Sequence, residues 1–335
     1  MVVRLLPLVE GDNVTGAAKT QRRRTARQAR VHGEWTPAPG ARKPTAAMHD
    51  GSNIPVLPAA LVEDAVRRAL AEDLGLAGDL TSLATIPPLA TATATLTARE
   101  PGVIAGLPLA VEVFRQLGSE VDFAPQVPDG AHVARGDIVA VVSGAARPLL
   151  AGERTALNFL NHLSGIASLT HKFVEAVAGT TTRICDTRKT TPGLRAFEKY
   201  AVRCGGGWSH RYALSDAILI KDNHIAVAGS AGKAYRAARA AAGHLVAIEV
   251  EVTTLSELEE VLEAGATVVM LDNMDNELLK AAVRLNDRRA RLEASGGVTL
   301  ERVRSIAETG VDFISSSQIT MGAKPLDLGL DVEIR

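Results

Sequence analysis

The sequence predicts an α/β protein, a parallel α/β barrel joined to a smaller α+β sandwich domain. Three observations lead there. In the second half, short apolar runs alternate with amphipathic stretches at a spacing of roughly 20–30 residues, the rhythm of βα units. Each apolar run ends in a polar or charged tip, and α/β barrels gather their sites at the C-terminal ends of the strands. In the first half, TATATLTA (91–98) alternates with a period of two, as a strand with one buried face does.

The elements follow in order. Residues 1–47 offer QRRRTARQAR and TPAPGARKPT, rich in charge, Pro and Gly and poor in apolar periodicity, so they read as a disordered basic leader. Met48 is a candidate alternative start. Residues 58–74 are helical, with Leu61, Val62, Ala65, Val66 and Leu70 on one face. Strands at 91–98, 121–124 and 137–142 and a helix at 108–117 complete a sandwich domain. It spans 48–157, is joined by 315–335, and carries no charged cluster. A helix at 152–170 follows, and Arg154 at its expected start is out of place because a cation there opposes the macrodipole.

The barrel then occupies 158–314. Its strands are expected at 183–187, 217–220, 245–252, 268–271, 292–294 and 313–314, separated by helices at 232–243, 255–264, 276–285 and 300–309. Pro192 and Gly193 keep the segment after the first strand out of a helix. The strand at 245–252 puts Glu249 and Glu251 on one face, which is costly unless they are paired or used.

Composition narrows the function. The apolar fraction of 46% supports a large core, and with 3% aromatics that core is built from Ala, Val, Leu and Ile. The net charge of −1 hides nine basic against three acidic residues in 1–47, leaving the body near −7. A mildly acidic body with its cations gathered in one segment points to a local anion site and away from nucleic acid. Cys185 and Cys204 lack metal-ligand spacing and read as small buried residues of a reduced, cytoplasmic protein. No apolar run reaches membrane-spanning length.

Sorted by charge, the strand tips fall into three kinds. Arg188, Lys189, His210, Arg211 and Lys221 are cationic, and Glu251 and Asp272 are anionic. Ser295-Gly296-Gly297 offers backbone N–H groups suited to a phosphate. Guanidinium forks suit a dicarboxylate, and carboxylates suit ribose hydroxyls or the water shell of Mg²⁺. Singly the tips are ordinary, since Ser-Gly-Gly turns are common and a lone histidine is usually structural. Their recurrence at six consecutive strand ends is what points to a site.

The segments DTRKTTPGLR (186–195), GGGWSHRYALSDAILIKDNHI (205–225), EVEV, LDN and ASGG resemble quinolinate phosphoribosyltransferase, and the likeness runs from about Ile54 to the C-terminus. The resemblance implies an incomplete barrel of seven strands, where six can be counted. It implies that quinolinate and phosphoribosyl pyrophosphate give nicotinate mononucleotide, pyrophosphate and CO₂, in NAD synthesis, with Mg²⁺ held through substrate and water. It implies that Arg188, His210, Arg211 and Lys221 bind quinolinate, with Thr187 and Lys189 adjoining it and the pyrophosphate. Arg154 would come from the partner subunit of a homodimer or larger assembly. Glu251 and Asp272 would serve ribose hydroxyls or metal-bound water, so that Lys221, Glu251 and Asp272 form the catalytic set. Ser295, Gly296 and Gly297, with Ser316, Ser317 and Gln318, would take the 5′-phosphate. The family often has glycine at the position of Ser317. Two alternatives are a phosphoribosyltransferase for another pyridine or purine acid, and a non-catalytic phosphate-binding barrel.

Overall fold

The computed structural model describes residues 54–334; the expected leader at 1–47 and the candidate start at Met48 lie outside them. Helix α1 (Ala59–Leu74) buries Val62, Ala65, Val66 and Leu70 of the predicted stripe and leaves Leu61 half-buried. A short α2 (Leu80–Thr85) is capped by Asp79, whose carboxylate accepts from the Ser82 N–H. Strand β1 (Thr91–Ala98) alternates as its sequence requires, with Ala92, Ala94, Leu96 and Ala98 inward. After β2 (Gly102–Val103), α3 (Leu107–Leu117), β3 (Val121–Pro125), β4 (His132–Val133) and β5 (Ile138–Ala145), the chain leaves this layer. The strand order is β12-β1-β5-β3, all antiparallel, because β12 (Leu328–Ile334) returns from the C-terminus to pair with β1.

One continuous helix, α4 (Ala146–Ala176, 31 residues), connects the two layers. It starts six residues earlier than its sequence suggests. Pro148 falls in the first turn, where its missing N–H costs nothing. Arg154 therefore lies in the third turn rather than at the helix start, and the macrodipole argument for its placement fails.

The parallel sheet has the order β6-β11-β10-β9-β8-β7. Its strands are β6 (Arg183–Cys185), β7 (Ile218–Ile220), β8 (Ile248–Val252), β9 (Val268–Asp272), β10 (Arg291–Ser295) and β11 (Phe313–Ser315). The helices are α5 (Arg195–Cys204), α6 (Asp222–Ala228), α7 (Ala231–Ala241), α8 (Leu255–Glu263), α9 (Asn276–Asn286), α10 (Leu300–Ala307) and the single turn α11 (Gln318–Met321). Beyond β6 the ladder is extended by one residue: Trp208 bridges Cys185 in parallel, donating to the Ile184 carbonyl at 2.7 Å. The expected seventh strand is thus a single bridge. β8 begins at Ile248 rather than 245, since Leu245 is 86% exposed and unpaired in the ladder. No helix among the described residues is long and apolar enough to cross a membrane.

Register decides which side chains point inward. Glu251, Met270 and Glu293 are neighbours across β8, β9 and β10, and Asp272 lies beside Ser295. Alternate residues (Val250, Val269, Leu271, Ala294) are fully or almost fully buried. One face of the sheet therefore carries its acids, the other its apolar packing.

Candidate active site

A cavity of about 550 Å³ opens at the C-terminal ends of the parallel strands. Thr187, Arg188 and Lys189 line it from the loop after β6, His210 and Arg211 from the next loop, and Lys221 from the end of β7. Glu251 stands on β8, Asp272 ends β9 with Asn273 next to it, and Ser295 ends β10 with Gly296 and Gly297 following. Ser315 lines it too, whereas Ser316, Ser317, Gln318 and Arg154 do not. Ser316 is buried, its hydroxyl donating to the Val298 carbonyl at 3.0 Å and accepting from the Gln318 N–H at 3.2 Å. Arg154 is exposed on α4.

Among the described residues the cationic rim keeps idle donors. The Nε atoms of Arg188 and Arg211 are buried without a hydrogen-bond partner. Burial, with Arg188 close by, lowers the proton affinity of the Arg211 guanidinium below its ordinary value. Two like charges held together with idle donors form a receptor for an anion. Lys221 is half-exposed, its Nζ 3.1 Å from Glu251 Oε2, so it bridges the cationic and acidic sides.

Helix α5 holds this rim in shape, a role its sequence did not reveal. Arg195 donates from Nε to Thr190 Oγ1 at 3.0 Å and from a terminal nitrogen to the Arg188 carbonyl at 3.4 Å. The fully buried Glu198 accepts from the Thr191 N–H at 3.2 Å and contacts His162 Nε2 at 2.9 Å. Burial works against its charge, but the bonds from His162 and Thr191 outweigh it and keep this carboxyl below its usual value. Lys199, also buried, pairs with Asp186 and donates to the His210 carbonyl at 3.1 Å. Asp186 in turn accepts from the His210 N–H at 2.9 Å. Seven of the ten residues of α5 are buried, Glu198 and Lys199 among them, so its amphipathic signal is broken by the two charges that matter.

The turn beneath the loop needs glycine. A Cβ on Gly205 would stand 2.3 Å from the Ala167 carbonyl oxygen of α4. At the phosphate-type tip, Gly296 has φ +88° and a Cβ there would meet Asn273 Oδ1 at 2.3 Å. Asn273 itself adopts φ +55°, and its N–H donates to the Ser295 carbonyl at 2.9 Å. The tips after β9 and β10 are thus locked to each other, and Gly296 and Gly297 keep the backbone bare toward the cavity.

Deeper in the barrel, His210 Nε2 lies 2.7 Å from Glu249 Oε2, and the buried Glu293 is 3.8 Å away. His210 Nδ1 accepts from the Arg211 N–H at 2.8 Å, so both ring nitrogens are engaged inside the protein. Cys185 and Cys204 are both buried and free, with burial pushing both thiols up.

Comparison with known proteins places this arrangement. The family described as quinolinate phosphoribosyl transferase matches in both parts, its N-terminal domain over residues 79–164 and its C-terminal domain over 166–331. Carboxylating nicotinate-nucleotide pyrophosphorylase of Mycobacterium leprae is 46% identical over 276 residues, 80% of this chain and 96% of that protein. The probable enzyme of the same name from Bacillus subtilis is 43% identical, covering 78% and 90%. The crystal structure of NadC from Streptococcus pyogenes superposes with a TM-score of 0.81 at 42% identity, over 84% of this chain and 99% of that one. With both family domains matched in sequence order and the cationic loops, acidic strands and glycine tip meeting in one cavity, the chain belongs to the quinolinate phosphoribosyltransferase family.

Proposed function

We propose that this cavity joins quinolinate to phosphoribosyl pyrophosphate, forming nicotinate mononucleotide, pyrophosphate and CO₂. The observation that carries the reading is the pair Arg188 and Arg211, buried at Nε with no internal partner beside Lys189 and Lys221. Two guanidinium forks suit the two carboxylates of a pyridine dicarboxylate. Thr187 and Lys189 adjoin the pyrophosphate, and His210 contributes its ring to the wall.

As the C1′–pyrophosphate bond breaks, positive charge builds on the ribose. Glu251 and Asp272, lining the same cavity, stabilise that charge and hold the ribose hydroxyls. The pyridine nitrogen forms the new bond to C1′ and becomes cationic. The ring then accepts the electron pair of the breaking C2–CO₂ bond, and C2 takes up a proton. No side chain needs to act as a covalent nucleophile. Ser295, Gly296 and Gly297 present backbone donors to the 5′-phosphate, with Ser315 beside them and Ser316 to Gln318 supporting the tip from behind. Glu251 and Asp272, two carboxylates lining the cavity, fit a hydrated Mg²⁺ and would hold it through its waters, and the ion would supply charge neutralisation to the pyrophosphate.

The enzyme works in the cytoplasm as a homodimer or larger assembly, with Arg154 supplied in trans. Two features support the shared site. The Arg154 side chain is exposed and away from its own cavity, and Asn158, one turn on, lines a cleft of about 560 Å³ bounded by residues 192–194 at the end of the cationic loop.

The test is an assay with purified protein, phosphoribosyl pyrophosphate, Mg²⁺ and quinolinate labelled at the 2-carboxyl. Labelled CO₂ and nicotinate mononucleotide, identified by mass, are expected in equal amounts; a product that keeps the label refutes the reaction. Arg154→Ala and Lys221→Ala, each nearly inactive alone, are then mixed and co-refolded. Random pairing makes about half the dimers mixed, each with one intact site, so roughly a quarter of wild-type activity returns. Mixed dimers without recovered activity would show that Arg154 serves its own subunit.

A further inference from the structure

Under the cavity lie three ionisable side chains from three elements: His210 from the loop before β7, Glu249 from β8 and Glu293 from β10. One ligand atom from each lies within 4.8 Å of the other two. Their side chains are 11%, 10% and 6% exposed, and Oε1 of Glu249 and Oε1 of Glu293 are both buried with no partner. Two such carboxylates side by side cannot both ionise cheaply, so a positive species must sit among them. The 2.7 Å contact between His210 and Glu249 is a direct hydrogen bond. Donors sharing one tetrahedral ion at about 2.0 Å would stand about 3.3 Å apart. A proton, not a metal, reconciles the charges.

Burial opposes a charge on the His210 ring, but the Glu249 contact and the nearby Glu293 outweigh it and raise the ring's proton affinity above its ordinary value. Geometry works the other way. The Arg211 amide decides, because its N–H donates to Nδ1 and leaves no place there for a second proton. The ring is the neutral Nε2–H form, donating to Glu249.

The groups around the trio leave Glu293 as the one that titrates. Asp186 is paired with Lys199, and Glu251 with Lys221. Burial keeps the Cys185 thiol protonated, Ser315 on the neighbouring strand bonds Glu293 and works against its protonation, and the guanidiniums of Arg188 and Arg211 lie at the rim. Burial first, then the nearby Glu249, push Glu293 up to about 7.

We propose that Glu249 and Glu293 form a charge-coupled pair beneath the site: Glu249 fixes the His210 ring, and the proton kept by Glu293 sets how tightly the cavity holds its anionic ligand. This deepens the dicarboxylate reading and rests on it. The sign follows from charge. Below neutrality Glu293 is neutral; above it a second negative charge appears under the ligand, so affinity falls as pH rises and binding draws a proton back in.

The experiment uses the full-length protein and has two arms. With ¹³C-labelled glutamate carboxyls, one carboxyl is expected to titrate between pH 6 and 8 and to vanish in Glu293→Gln, while ¹⁵N spectra show His210 protonated at Nε2 alone. In calorimetry, the Kd for quinolinate is expected to rise about tenfold from pH 6 to 8, with proton uptake, and to vary less than twofold in Glu293→Gln. A merely structural glutamate would not erase proton uptake on isosteric replacement. No neutral-range carboxyl, a doubly protonated His210, or an unchanged pH slope in Glu293→Gln overturns the proposal. If that variant does not fold, the wild-type titration and the His210 spectrum still decide. Should the carboxyl titrate while quinolinate does not bind, the pair stands and the dicarboxylate reading falls.

Discussion

Arg211→Ala is expected to lower kcat/KM for quinolinate by roughly two to three and a half powers of ten while leaving the fold intact. The side chain donates to the Ala217 carbonyl at 2.9 Å, and its Nε is buried with nothing to bond. A ligand carboxylate placed there makes charge-assisted bonds out of water, and removing the guanidinium leaves that carboxylate desolvated and unpaired. Such a loss costs about 3–5 kcal/mol, which converts to the fold-change stated. Arg211→Lys restores the charge but not the planar fork, so it recovers only part of the activity. A drop below fivefold, with unchanged circular dichroism, would remove Arg211 from the binding set.

The second large effect is on stability. Lys199→Met leaves Asp186, fully buried, without its counter-charge. Breaking such a pair from one side costs about 3–5 kcal/mol, because the remaining charge has no solvent to turn to. The denaturation midpoint is expected to fall accordingly, and activity with it, since Lys199 and Asp186 also bind the His210 backbone. The double variant Asp186→Asn with Lys199→Met should regain at least half of the lost stability, because no lone charge remains. If the double variant is no better than the single one, the cost is packing rather than charge.

These predictions separate what the sequence makes legible from what it hides. The period-two run at 91–98 and the apolar stripe of α1 appear as written, because local periodicity and burial agree there. The strand tips were readable for a similar reason: in a parallel sheet the polar residue that ends an apolar run must lie at one edge, and these edges meet. The start of α4 was not, because Pro148 reads as a breaker although a first turn tolerates it. That error carried Arg154 to a helix start it does not occupy. Residues 245–247 look like strand, but the β7–β8 ladder begins at Ile248, with only the Ala247 carbonyl reaching it to accept from the Ile218 N–H at 2.9 Å.

The braces were hidden for a different reason. Glu198 and Lys199 are charges on a helix face that tertiary packing buries, and Glu293 is a charge inside a three-residue apolar run. Only register across β8, β9 and β10 brings Glu293 to His210 and Glu249, and register is not visible in one strand's sequence. Ser316 to Gln318 show the reverse case. The resemblance puts them at the 5′-phosphate, while the fold turns Ser316 inward against Val298 and lines the cavity with Ser315.

A cationic end of the cavity built for two carboxylates is tested most directly by a competition between quinolinate and nicotinate for limiting phosphoribosyl pyrophosphate, with consumption of each followed by mass. Nicotinate lacks the 2-carboxylate and leaves one guanidinium buried and unmatched, at a cost of a few kcal/mol. Quinolinate is expected to be preferred by at least about a hundredfold in kcat/KM. Comparable consumption of the two acids would contradict it.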